Sequence, residues 1–387
     1  MRNVLNNMRD VLNSMRDVIK SFLIYDKKMS SEVAADDHPP EPPSLPEEVF
    51  LDCVVREPRT DYPILSLVSE KFRSLVTSPK VYKLRSLLGY KEHCLYVAIS
   101  KNQTSTIRWY TLGRKPNNNL RLVPVPSLPP MPLHASYVVS GSSIYVMGGF
   151  HRWGLITPRV SRIDCVSHTV QPLPRMPKAV AGSVSKLVDR KIYVIGGSDT
   201  RSPKLKSFSK RIMVFDTEAK TWKVKRRPNW KVGQKWLSSV EMAGKIYMRS
   251  YSNSYVYEPK KGKCKLDPIL HSKEWSNSCV IDDVLYYYDV RKNCLRAYDL
   301  KKRAWGVVKG VELGPFEDGS WSRTASYGRK LAVFLQKAVA VTETTEIWYA
   351  EVVVKRHQRG EIWGNVKWYG LVLDGKSCIM DCLAVKM

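Results

Sequence analysis

Ile144-Tyr145-Val146-Met147-Gly148-Gly149 and Ile192-Tyr193-Val194-Ile195-Gly196-Gly197 are two copies of one pattern: an apolar strand with a tyrosine inside it and a glycine pair at its end. Four more segments share the apolar core: Leu95-Tyr96-Val97, Ile246-Tyr247-Met248, Leu285-Tyr286-Tyr287 and Leu331-Ala332-Val333. The first residues of the six segments fall 49, 48, 54, 39 and 46 positions apart. Self-similarity at such a period marks an array of supersecondary units, each needing its neighbours to bury its apolar faces.

Another strand follows in each of four copies and ends in an acid: Ile163-Asp164, Phe215-Asp216, Tyr257-Glu258 and Tyr298-Asp299. Six residues beyond that acid stand Val170, Trp222, Cys264 and Trp305. A large ring at this position is expected to fill the gap between adjacent sheets, so these aromatics read as core and not as ligand-stacking groups. The spacing matches the roughly 50-residue kelch period, and six copies predict an all-β propeller of six blades over residues 90–387. Strand counting adds a detail. The first copy offers three strands where the next four offer four each, whereas Ser377-Cys378-Ile379-Met380-Asp381-Cys382-Leu383-Ala384-Val385 is one strand left over after the sixth. Residues 377–385 are therefore expected to complete the first blade and close the ring, since an open ring would leave strand edges exposed.

Upstream of the repeats the periodicity is helical, giving an α+β multidomain chain with a small all-α unit at residues 44–89. Ser44 and Glu47 form a capping box opening a first helix, with Pro46 in its first turn. Asp61 and Pro63 start a second, the spacing of Leu65, Leu67, Val68, Phe72 and Leu75 carries it into a third, and Ser78-Pro79 opens the last, which stops at Gly89. A unit this short buries little alone, so part of its apolar surface is expected to serve a partner. Residues 29–43 end in a proline-rich stretch, Pro39-Pro40-Glu41-Pro42-Pro43, read as an extended tether. Residues 1–28 open on a sevenfold repeat, RNVLNNM, RDVLNSM, RDVIKSF. It fits a short coiled coil or docking helix, or else a loosely held extension ahead of a working start at Met29.

Composition bounds the function. No apolar run reaches the ~18 residues of a membrane span, and no signal-peptide pattern is present, so cytoplasm or nucleus is expected and no membrane partner. The eight cysteines are irregularly spaced, without a C-x-x-C pair, and the seven histidines are scattered, so neither metal nor cofactor is expected. No phosphate-binding or nucleophile motif stands in a suitable context, and no catalytic residue is assigned. The net charge of +27 resides wholly beyond Gly89, where 50 basic residues face 23 acidic ones. Such a field favours acidic partners. Basic residues recur after the acid-ended strand, with Lys260, Lys261, Lys301 and Lys302 as the candidate patch. Without a groove-reading helix or a stacking motif, the charge is read as tolerated in turns or as a surface for acidic protein, ahead of nucleic acid.

Ser44-Leu45-Pro46-Glu47-Glu48-Val49-Phe50-Leu51 and Leu67-Val68-Ser69-Glu70-Lys71-Phe72-Arg73-Ser74-Leu75 resemble an F-box. With Ser78-Pro79-Lys80-Val81-Tyr82, Arg85-Ser86-Leu87-Leu88-Gly89 and Cys94-Leu95-Tyr96-Val97, residues 44–387 resemble the F-box/kelch-repeat proteins of plants. Glu70 stands where that family often has lysine, and the later repeats lack Gly-Gly. The resemblance implies a non-catalytic substrate receptor of an SCF-type ubiquitin ligase: the F-box binds a Skp-family adaptor and, through it, cullin, while the propeller binds a protein substrate. The apolar anchors it assigns to the adaptor, as a group, are Leu45, Pro46, Val49, Leu51, Leu65, Leu67, Val68 and Phe72. The alternatives are a ligase-independent kelch scaffold and a basic propeller binding acidic partners or nucleic acid.

Overall fold

A computed structural model describes residues 47–90, 92–101, 106–114, 119–150, 155–198, 211–226, 236–314, 320–339, 343–357 and 360–387. The heptads, the proline-rich tether and the first half of the expected capping box lie outside the described residues.

The helical unit contains α1 (Glu47–Arg56), α2 (Tyr62–Val68), α3 (Glu70–Thr77) and α4 (Pro79–Leu87). Its boundaries follow from local chemistry. Ser69 separates α2 from α3 with an extended backbone, and its hydroxyl accepts from the Phe72 N–H at 3.3 Å. Ser78 does the same for α4, accepting from the Lys80 N–H at 3.2 Å, with Pro79 at the first helical position, where no N–H is needed. At the far end Gly89 takes φ +76°, the Tyr90 N–H reaches the Arg85 carbonyl and the Gly89 N–H reaches that of Ser86. This pair of bonds is a Schellman motif, which requires the left-handed residue that glycine supplies. The core is Val54, Val55, Tyr62, Leu65, Phe72, Val76 and Val81. Arg85, only 6% exposed, threads into it and donates to the Val55 carbonyl at 2.7 Å and to that of Glu57, fastening α4 to the end of α1.

From Glu92 onward the regular structure of the described residues is almost all strand, arranged as six antiparallel sheets that form a six-bladed β-propeller. The second blade shows the unit: Ser136–Ser140, Ser143–Met147, Val160–Asp164 and Thr169–Leu173 pair in chain order. The recurring apolar segment is always the second strand of its blade, and the four acid-ended strands are third strands. The first blade departs in the expected way. Ser377–Lys386 pairs antiparallel with His93–Lys101, Cys94 opposite Val385, ahead of Thr106–Arg114 and Leu120–Pro124. A two-residue strand, Met131–Pro132, adds a fifth member there. The sixth blade's last strand spans Ile362–Gly375.

The core has no single centre. Each of its six clusters joins neighbouring blades; one combines Tyr145 and Met147 of the second blade with Ile192, Val194 and Phe215 of the third. The predicted rings do fill these seams. Trp222 faces Phe215 across the strand pair at 5.0 Å between centroids, and its Nε1 donates to the Pro174 carbonyl of the preceding blade at 2.8 Å. Trp305 repeats the arrangement, with Tyr298 at 5.1 Å and the Ile269 carbonyl as acceptor. The acids ending the third strands have a local task. Asp164, Asp216 and Asp299 each accept two backbone N–H groups of the turn that follows, such as those of Lys301 at 2.9 Å and Lys302 at 3.1 Å.

Candidate functional site

Two surfaces compete for function, and each follows from its unit's packing. In the helical unit the assigned group of apolar anchors is divided by the fold. Leu65 at 7% exposure and Phe72 at 8% belong to the unit's own core, where Phe72 meets Phe50 edge to face at 5.4 Å. Leu51 and Val68 are half-buried against that core. Leu67 is 64% exposed, a large apolar side chain in water. Leu45 and Pro46 lie outside the described residues, as does the side chain of Val49. Two exposed leucines escaped the sequence-based group: Leu87 at 74% and Leu88 at 48%. The signal for them is Gly89: they are the last two residues before the left-handed glycine that ends α4.

In the propeller the innermost strands surround a cavity of about 370 Å³. Its wall is rich in serines, and the hydroxyls of Ser136 and Ser185 share a hydrogen bond at 2.8 Å across adjacent blades. Four charged residues line it: Lys186, Glu241, Arg323 and Asp381. Arg323 and Asp381 pair at 3.0 Å, whereas the Lys186 ammonium has no hydrogen bond or ion pair among the described residues. Desolvation pushes the Lys186 ammonium below its ordinary pKa, opposed by the charges of Asp381 and Glu241. No group of residues able to hold a metal ion occurs among the described residues, and none of their helices is long and apolar enough to cross a membrane.

The candidate basic patch is not uniform. Because successive strands are antiparallel, turns joining first to second strands and third to fourth strands emerge at one end of every blade. Lys260 and Lys261 lie in such a turn but are engaged, with Asp189 at 3.3 Å and Glu258 at 2.9 Å. Lys301 and Lys302 lie in the corresponding turn of the fifth blade, and Lys301 lines a cavity at the seam with the sixth.

Comparison with known proteins completes this description. Residues 43–84 match the F-box domain model, and residues 109–373 match the model described as FKB95, Kelch-repeats domain. An F-box/kelch-repeat protein of Arabidopsis thaliana is 58% identical over 375 residues, covering 92% of this chain and 100% of the relative. Another from the same plant is 36% identical over 353 residues, covering 88% and 90%. The solved structure of YjhT matches 71% of this chain and 97% of its own at 12% identity, with a TM-score of 0.48. A helical F-box segment, six kelch-type blades and near-complete alignment with such relatives together place this chain in the F-box/kelch-repeat family.

Proposed function

We propose that the chain is the substrate-recognition subunit of an SCF-type ubiquitin ligase. Its F-box docks on a Skp-family adaptor and, through it, on cullin, while its propeller holds a protein destined for ubiquitination. The observation that carries the reading is the pairing on one chain of an F-box that keeps a leucine such as Leu67 in water with a closed propeller. Apolar side chains at the centre of an interface supply most of its binding energy. The chain itself transfers nothing in this reading; ubiquitin chemistry belongs to other subunits. Such a receptor works in the cytoplasm or the nucleus.

The test is capture of purified Skp-family adaptor by the full chain and by a Leu45→Ala/Pro46→Ala variant. If both residues are central anchors, the pair of changes removes about 2–4 kcal/mol of binding. Undiminished capture would leave a ligase-independent kelch scaffold as the better reading.

A further inference from the structure

The seam between the fifth and sixth blades holds a cavity of about 550 Å³, open at the end of the blades where the basic turns emerge. Four cations line it from three separate turns and strand ends: Lys301, Arg329, Lys355 and Arg356. Arg329 comes from the first turn of the sixth blade, and Lys355 and Arg356 close its third strand, Thr344–Arg356. Three carboxylates line it too, and two of them are already engaged. Asp299 binds Arg356 at 2.7 Å besides its two backbone N–H groups, and Asp283 accepts from the Ala243 N–H at 3.1 Å. Burial works against the charge of Asp299, but the Lys302 N–H and the Arg356 guanidinium outweigh it and hold its carboxyl below the ordinary range. The side-chain charges of Lys301, Arg329 and Lys355 have no ion-pair partner among the described residues. The lining is apolar as well as charged, with Ile281, Val284, Val353 and Val354 among its residues.

We infer that this seam is the docking site for an acidic segment of a partner protein, one in which carboxylate side chains alternate with apolar ones. Its carboxylates meet Lys301, Arg329 and Lys355, and its apolar side chains lie on the valines. Polynucleotide fits less well. A backbone with a charge on every unit would meet Asp282 and Asp283 as well as the cations, and the aromatic ring of the site, Tyr286, is only 4% exposed and offers no stacking face. The inference rests on the reading of the propeller as the partner-binding half of the receptor, and it names the chemistry of the partner.

The experiment is fluorescence anisotropy on the full chain at low salt, with a short labelled peptide of alternating glutamate and valine. The variant Lys301→Glu/Arg329→Glu/Lys355→Glu is compared with Lys260→Glu/Lys261→Glu, whose lysines are already paired elsewhere. Each reversal turns an attraction into a repulsion of similar size, so the triple variant is expected to bind about tenfold or more weakly. The double variant is expected to stay within about twofold of the parent. Equal weakening in both variants, or none in the triple, overturns the site. Tighter binding of a single-stranded oligonucleotide that displaces the peptide overturns the class of partner. Should the triple variant fail to fold, Arg329→Glu alone carries the same comparison. Adaptor capture on the same preparations separates the two claims: a chain that binds peptide but not adaptor keeps this site and loses the ligase reading, and the reverse loses only the site.

Discussion

Arg323 Nη1 donates to Asp381 Oδ1 at 3.0 Å, joining the innermost strand of the sixth blade to that of the first. Asp381 belongs to Ser377–Lys386, so this bond ties down the chain's last strand beside the ladder it shares with His93–Lys101. Gln336 assists from the sixth blade, its Oε1 accepting from the Ile379 N–H at 3.0 Å. Deleting residues 377–387 is expected to lower the melting temperature sharply and to produce aggregation, because it bares the full edge of a central strand. Arg323→Ala is the milder version, since both partners keep some solvent contact. It is expected to cost about 1–2 kcal/mol, between exposed and fully buried pairs. A truncated chain that stays monomeric and melts with the parent would refute closure by this strand.

Leu65 and Leu67 are two residues apart and face opposite fates. Leu65→Ala empties core space in a small unit and is expected to cost about 2–4 kcal/mol of that unit's stability. Leu67→Ala is expected to leave folding unchanged, by circular dichroism and melting, and to weaken adaptor binding by about 1–2 kcal/mol. Parental adaptor affinity in the Leu67 variant would remove that residue from the interface.

Gly149 sits at φ +93°, where an added Cβ would lie 2.6 Å from the Leu133 carbonyl and 2.8 Å from the Ala135 N–H. Both neighbours are backbone and cannot swing aside. Gly149→Ala is expected to destabilise the propeller by about 2–3 kcal/mol, through left-handed strain and collision together. Gly141→Ala provides the control: it shares positive φ but meets nothing within 4 Å, so its cost should be the smaller in denaturant titration.

Asp299 carries a pH signature. Its folded pKa lies below the ordinary 3.8, so its contribution is fully present above that value and is lost as pH falls through the folded value. The stability difference between the parent and Asp299→Asn should therefore be constant near neutrality and shrink below about pH 4. A difference that is the same at pH 3 and pH 7 would show that the carboxylate's charge contributes nothing.

Local physics made much of this protein legible in one dimension. Strand alternation with a tyrosine in five of the six second strands, the acids that end third strands, and the cap at Ser78 depend on residues within a few positions of one another. The closing strand was legible too, because a propeller cannot leave an edge open and Ser377–Lys386 was the one strand left to count. Tertiary structure decided what depends on partners distant in the chain. It sent Leu65 inward and Leu67 outward, choices that turn on how α2 lies against Val54 and Phe72. It spent Lys260 on Asp189 of the preceding blade, and it brought Arg329 and Lys355, which lie 28 and 54 positions away in the chain, to Lys301. Charge has no periodicity comparable to that of burial. A lysine in a turn is equally soluble paired or unpaired, and only the neighbouring blade determines which it is.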